Sequence, residues 1–233
     1  KRLINTGAAA AVCNTESVQA FGADSAFSSN IALYQLDGDG GVTNNVPDTT
    51  GDYNGTASNV TYTTGQFGNA AVFNGSSSKI VTSIDNSDVE SFSFWFYFES
   101  GTTVGRVLGS NVGSGGGNIA VSISTNGTID LILQNLRYLT GSRALGSTGW
   151  KHIYYDTNRD LYINGVAHTS GTDYTGSFPN STVLIGALRT NYGFFNSSID
   201  QVRFFNRVLN ADEISTLYNE TTSTASNTNP LSD

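Results

Sequence analysis

Cysteine occurs once in the 233 residues, at Cys13, so the chain has no disulfide framework of its own. Histidine occurs twice, at His152 and His168, and two histidines alone cannot make a zinc site. Cations are also scarce: 11 Lys and Arg stand against 19 Asp and Glu, for a net charge of −8. No cluster of basic residues occurs anywhere, which argues against a nucleic-acid partner. Long apolar runs are missing as well. The longest, around Phe92 to Phe98, falls far short of the roughly 20 residues that span a bilayer, so no membrane insertion is expected. Near the start, Lys1, Arg2 and the run Ala8 to Val12 have some signal-peptide character, but Asn5 and Thr6 interrupt an apolar h-region. Only 13% of residues are charged, yet 38% are apolar, including 13 Phe and 11 Tyr, which is enough for one substantial core.

What is present in excess is Gly, Ser, Thr and Asn, the residues of turns and of uncharged strand surfaces. The seven Asn-x-Ser/Thr sequons, such as Asn54-Gly55-Thr56, are what this composition produces by chance. Residues 1–29 lack sustained periodicity and read as an N-terminal arm; residues 221–233 read as a polar tail. Between them alternation bounded by Gly and Asn predicts an antiparallel β domain over 30–220. Ile119 to Thr125 and Thr128 to Leu133 flank Asn126-Gly127, and Asp160 to Ile163 and Val166 to Thr169 flank Asn164-Gly165. Each dipeptide tolerates the two positive φ angles of a type I′ hairpin turn.

The segment Ser91 to Glu99 places Phe92, Phe94, Phe96 and Phe98 on one face and Trp95 and Tyr97 on the other. A strand this aromatic belongs in the middle of a sheet, because at an edge it would invite aggregation. Further strands are expected at Ile31 to Leu36, Ala70 to Phe73, Lys79 to Ser83, Trp150 to Asp156, Thr182 to Ala187 and Ser198 to Phe205. About a dozen short strands are most simply buried as a two-sheet sandwich. One short helix closes the domain: Asn210 and Glu213 form a capping-box pattern, followed by Ile214, Leu217 and Tyr218 at helical spacing.

Several stretches together resemble the laminin-G-like members of the concanavalin A-like jelly-roll superfamily. They are Leu33-Tyr-Gln-Leu-Asp37-Gly-Asp39, with Pro47-Asp48, Asn54-Gly55 and Gly65-Gln-Phe-Gly68-Asn-Ala-Ala-Val-Phe73-Asn-Gly75; the aromatic strand; Trp150-Lys-His152-Ile with Leu161-Tyr-Ile-Asn164-Gly165; and Ser198-Ile-Asp200-Gln-Val-Arg203 through Glu213. The resemblance covers roughly 31–220 and implies an all-β, two-sheet antiparallel jelly roll. The arm, from Arg2-Leu-Ile-Asn-Thr-Gly7 through Ala8 to Ala11, resembles the starts of structural proteins of marine bacteriophages. It implies a virion location and contacts through the arm with further copies or other virion proteins.

The superfamily contains both glycan-binding modules and glycoside hydrolases. Hydrolysis generally needs two carboxyl groups across a cleft, and hydrolases of this fold share a Glu-x-Asp-x-x-Glu strand. The five glutamates, Glu16, Glu90, Glu99, Glu213 and Glu220, make no such motif, and no Gly-x-Ser-x-Gly elbow or Walker loop is present, so no catalytic residue is assigned. Gly113 to Gly117 lacks the context of a phosphate loop and reads as a hairpin tip. Strand parity places Asp200 on the inward face with Val202 and Phe204, where a carboxylate needs compensation. The resemblance implies structural calcium there, held by Asp37, Asp39 and Asp200 with backbone oxygens; the alternative is a carboxylate satisfied by amides or hydroxyls of a neighbouring turn. Tyr138 with Arg137, and Tyr192 with Asn191 and Arg189, are the candidates for binding sugar, although an aromatic at a strand end more often closes a core. Trp150 reads as core and His152 as a satisfied structural histidine. The functional expectation is a non-enzymatic virion appendage binding host-surface glycans. A decoration protein using the same fold for protein contacts, or a polysaccharide-active enzyme, are the alternatives.

Overall fold

The computed structural model describes residues 30–38, 44–102, 105–110, 119–133, 136–137, 145–168 and 181–220. The arm 1–29, the tail 221–233, the glycine run 113–117, Asp39 and Tyr138 lie outside these.

Alternating sequence yields sixteen strands: β1 (Asn30–Tyr34), β2 (Asn45–Val46), β3 (Gly55–Ser58), β4 (Thr61–Thr64), β5 (Asn69–Val72), β6 (Lys79–Asp85), β7 (Ser91–Phe98), β8 (Gly105–Ser110), β9 (Ile119–Ile123), β10 (Ile129–Leu133), β11 (Leu136–Arg137), β12 (Gly149–Asp156), β13 (Leu161–Ile163), β14 (Val166–His168), β15 (Thr182–Ile185) and β16 (Ser198–Phe205). They form two antiparallel sheets. Sheet A runs β14-β13-β12-β7-β16-β5-β4, with β1 pairing the far half of β16; sheet B runs β11-β10-β9-β8-β15-β6-β3-β2. Consecutive hairpin neighbours, such as β12 to β14 and β8 to β11, combine with non-consecutive pairings such as β7 with β12 and β16, and β8 with β15, to make the expected jelly-roll sandwich.

The aromatic strand β7 is central, between β12 and β16. Phe92, Phe94, Phe96 and Phe98 point into the inter-sheet core with Ile153, Tyr155, Ile199, Val202 and Phe204 of sheet A and Ile80, Val107, Val121, Leu131 and Ile185 of sheet B. At about 2–3 kcal/mol per buried large apolar side chain, this layer is the main stabilising term.

The two hairpins differ. Asn164 (φ 51°) and Gly165 (φ 72°) form the two-residue type I′ turn, with Ile163 opposite Val166. At the other site only Gly127 has positive φ (76°); its N–H bonds to the Ser124 carbonyl at 3.0 Å, and Ile123 pairs Ile129 across a five-residue connection. The Asn126-Gly127 turn is therefore not type I′: Asn126 Oδ1 accepts the Thr128 N–H at 3.0 Å instead, and the left-handed residue follows the turn.

Asp48 anchors the loop after β2 to the core. Its carboxylate accepts N–H bonds from Leu33 (2.8 Å), Thr50 (3.1 Å) and Tyr53 (3.2 Å) and the Thr50 hydroxyl, while buried at 4% exposure. Asp48→Ala would leave several backbone donors without their acceptor. It is expected to cost about 3 kcal/mol in urea unfolding, with Asp48→Asn costing less; an Ala variant as stable as wild type would refute this.

Among the described residues, one helix packs on the outer face of sheet A. Helix α1 (Ala211–Tyr218) starts at the expected capping box, Glu213 N–H to Asn210 Oδ1 at 3.0 Å and Asn210 N–H to Glu213 Oε2 at 2.8 Å. Its apolar side packs Ile214 and Leu217 with Leu209 against Tyr154 and Phe205, a second small core. Arg207 grips Glu213 with two bonds of 2.8 and 2.6 Å.

Candidate functional site

The site begins with an irregularity in β16. Ile199 pairs Phe96 and Asp200 pairs Trp95, but the register then shifts, and Gln201 takes a left-handed φ of 49° before Arg203 pairs Ser93. One residue is consumed by this bulge, so Ile199, Val202 and Phe204 all face the inter-sheet core while Asp200, Arg203 and Phe205 face outward. The parity that places Asp200 with Val202 and Phe204 is thus overturned: Asp200 lies beside Trp95 on the outer face of sheet A. It is nonetheless fully buried, at 0% exposure.

What buries it is the tip of the β4–β5 hairpin, residues 65–68, closed by Gly65 N–H to the Gly68 carbonyl at 2.9 Å. Phe67 packs edge-on against Trp95, with centroids 5.8 Å apart, and its N–H donates to Asp200 Oδ2 at 2.9 Å. The same turn reaches Asp37: Asn69 N–H donates to Asp37 Oδ1 at 2.7 Å, and Asn69 Nδ2 donates to the Asp37 carbonyl at 3.0 Å. Glycine is required twice here. A Cβ on Gly65 would sit 2.6 Å from Asp200 Oδ2, and one on Gly68, whose φ is 59°, would collide with Asp37 Oδ1. The motif Gly65-Gln-Phe-Gly68 is therefore a backbone cradle for two carboxylates.

The cradle is electrostatically incomplete. Asp200 Oδ1 is buried without a hydrogen-bond partner. Burial pushes the Asp200 carboxyl up to about 8, opposed by the Phe67 amide and reinforced by the Asp37 charge. Burial also raises Asp37, which is half-buried. Leu36, immediately before Asp37, has φ 62°, and Gln201, immediately after Asp200, is the bulge residue; left-handed non-glycine residues thus adjoin both carboxylates. An orphaned carboxylate oxygen and a second carboxylate close enough to repel it fit a hard divalent cation such as calcium. Among the described residues no group of three or more His, Cys, Asp or Glu side chains converges, so backbone oxygens would complete the shell. Asp39, the third expected ligand, lies outside the described residues.

The sugar-binding candidates are separated. Arg189, Asn191 and Tyr192 come together in one tight hairpin, where Arg189 and Tyr192 exchange backbone bonds of 3.0 and 3.3 Å. Tyr192 is 62% exposed and Asn191 is exposed, whereas Arg189 is half-buried with an unpartnered Nε. Arg137 belongs to β11, at one edge of sheet B.

Two further expectations change. Trp150 is not core: it is half-buried on the outer face, edge-on to Tyr97 at 5.7 Å. Outward parity, which β12 keeps along its whole length, is the reason. His152 is structural but not satisfied. It is fully buried between Trp95 (5.1 Å) and Tyr218 (6.1 Å), and neither ring nitrogen has a hydrogen-bond partner. Burial, with the Arg203 charge adding to it, lowers its pKa to about 3. Arg203 itself is buried and bonded to Glu220 at 2.7 Å. The meeting of Trp95 and His152 depends on the register of β7 against β12, and the bulge hides Arg203 from any reading of strand parity.

Among the described residues, two eight-stranded antiparallel sheets with one α-helix laid on the outer face define a lectin- or glucanase-like β-sandwich. The family model described as the concanavalin A-like lectin/glucanases superfamily, of laminin G type, matches residues 75–215, more than half the chain, and the chain belongs to that family. A search of curated protein sequences gave no match. Among solved structures, domain 4 of AbnA, a GH43 extracellular arabinanase from Geobacillus stearothermophilus in complex with arabinotriose, is similar at TM-score 0.63 and 22% identity, over 82% of this chain and 98% of that domain. The Trypanosoma rangeli sialidase is similar at TM-score 0.61 and 17% identity, over 82% of this chain. This chain corresponds to only 32% of the sialidase. At these identities the likeness shows the fold. Among the described residues no helix is long and apolar enough to cross a membrane.

Proposed function

We propose that the domain is a non-catalytic carbohydrate-binding module that displays its sandwich on a virion appendage and recognises host-surface glycans. The observation that carries the glycan reading is the match to nearly the whole of an arabinanase domain whose structure is in complex with arabinotriose. The absence of a Glu-x-Asp-x-x-Glu strand supports a non-catalytic role. So does the placement of Asp37 and Asp200, which lie against a turn on backbone amides instead of across a cleft. The virion context rests on the resemblance of the arm to phage structural proteins.

Calcium would be held by Asp37 and Asp200. Bound there, it supplies charge neutralisation that ties the end of β1, the 65–68 turn and β16 together; it has no part in a reaction. Arg189, Asn191 and Tyr192 remain a candidate contact surface for sugar, and Arg137 with Tyr138 a second.

The test is a glycan array and a polysaccharide panel with the full chain, with and without chelator. Binding without turnover is the expected result. Turnover would establish an enzyme, and no binding under any condition would reject glycan recognition.

A further inference from the structure

We infer that the open end of the outer face of sheet A is a binding platform for an uncharged glycan, formed by Trp150, Tyr97, Ser198, Val72 and Thr61. This rests on the carbohydrate-binding reading and gives it a place and a ligand class.

The strand registers set these residues in one row. Trp150 pairs Tyr97 across β12 and β7. Phe96 pairs Ile199, which brings Ser198 alongside Tyr97. Ser198 then pairs Val72, and Val72 pairs Thr61. In β7 and β12 the outward parity is that of Trp95 and His152, so Tyr97 and Trp150 share their side of the sheet. The next row inward, containing His152, Trp95 and Asp200, is sealed by Phe67 and Tyr218. Among the described residues the platform row is not sealed: Tyr97 is 36% exposed, Thr61 is exposed, and Trp150, Ser198 and Val72 are half-buried. Tyr97 is the one exposed side chain of its strand.

Three physical features identify the occupant. The Tyr97 and Trp150 rings meet edge-to-face, at an interplanar angle of 79°, which leaves ring faces free of the pair and available to the apolar C–H face of a sugar. Hydroxyls of Ser198 and Thr61 stand further along the row to exchange hydrogen bonds with sugar hydroxyls. None of the five side chains is charged; Lys151 takes the opposite parity, and the first charged residue beyond the strand, Glu99, is acidic and exposed. A sialic or uronic acid would meet no cation in this row and the net charge of −8 of the whole chain, so neutral saccharides are favoured. The platform is also preorganised. Tyr97 is held in mid-sheet, its carbonyl accepting the Ser197 hydroxyl at 2.7 Å, so little ordering is lost on binding.

Titration of the full chain with neutral oligosaccharides (arabino-, xylo-, cello- and manno-series) and acidic ones (sialyllactose, oligogalacturonate), followed by calorimetry and tryptophan emission, tests this. Neutral ligands are expected to bind and to shift the emission of Trp150. Tyr97→Ala and Trp150→Ala are each expected to weaken binding at least tenfold, and Asp52→Asn, at an exposed position off the row, to leave it unchanged. Thr61→Arg, at an exposed position on the row, serves as a variant whose folding is not in question and is expected to reduce affinity for chains that span it. Neutral binding that survives Tyr97→Ala, Trp150→Ala and Thr61→Arg overturns the placement while leaving the glycan reading intact. Binding of acidic ligands alone overturns the ligand class, and no glycan binding by the unaltered chain overturns both readings.

Discussion

Calcium at millimolar concentration is expected to raise the melting temperature by about 5–15 °C, with chelator reversing the rise and Asp200→Asn abolishing it. A cation bound only by the folded state stabilises by about 3–4 kcal/mol when present at 100 to 1,000 times its dissociation constant. For a domain of this size each kcal/mol is worth about 2–4 °C. The physical source is the orphaned Asp200 Oδ1, buried beside Asp37 under the 65–68 turn. Asparagine preserves the shape and can still accept the Phe67 N–H, but it lacks the charge that a hard cation requires. Asp52→Asn, at an exposed aspartate, is the control and is expected to keep the full calcium response. An equal response in the Asp200 variant, or none in the unaltered protein, would remove the calcium assignment.

Acidification is expected to expose His152 as the largest single pH-dependent liability of the fold. The pKa is about 3 in the folded state, against about 6.5 for an unperturbed histidine. As pH falls below 6.5 the unfolded chain takes up a proton that the folded one refuses, so stability present above 6.5 is lost progressively toward pH 3. The loss attributable to His152 is about 2 kcal/mol at pH 5 and about 3 kcal/mol at pH 4. Two carboxyls work in the opposite direction. Burial raises Asp156 to about 6, and Asp200 is raised to about 8, so in metal-free protein each adds stability as pH falls. The histidine must therefore be read as a difference. The urea-unfolding free energy of His152→Phe minus that of wild type should grow by these amounts between pH 7 and pH 4, because both proteins share the carboxyls. His152→Gln, smaller and also unable to titrate, guards against overpacking by the phenyl ring. If both variants run parallel to wild type across this range, His152 does not govern the acid limb.

Much of the architecture was legible because its causes are local. Four phenylalanines at every second position of β7 can satisfy their burial only between two sheets, and they do. Asn164-Gly165 specifies its turn by the two positive φ angles it accepts, and Asn210 with Glu213 closes the helix start by contacts three residues apart. Asn126-Gly127 shows the limit of the same logic: it lies in a hairpin, but side-chain bonds from Asn126 and Ser124 select another turn.

The candidate site was less legible. Asp37 and Asp200 could be singled out as acids needing compensation, but their meeting depends on a turn 133 residues from Asp200 in sequence. Alternation alone puts Asp200 on the wrong face, because it counts residues and the bulge at Gln201 breaks the count. Trp150 and His152 depart from their expected settings for a related reason. Composition cannot say which end of a sheet face a helix will cover, and that choice leaves Trp150 half-buried while sealing His152 away from water and partners.

By itself, the sequence determined an all-β sandwich, its central aromatic strand, its closing helix and the residues able to carry charge in a nearly uncharged domain, because periodicity, turn chemistry and capping act over a few residues. Only the tertiary structure decided which acid is buried where, which aromatic pair stays open and which histidine is trapped. Those outcomes depend on strand register, on one bulge at Gln201 and on a hairpin tip folding over a distant strand, and none of these leaves a local mark in the chain.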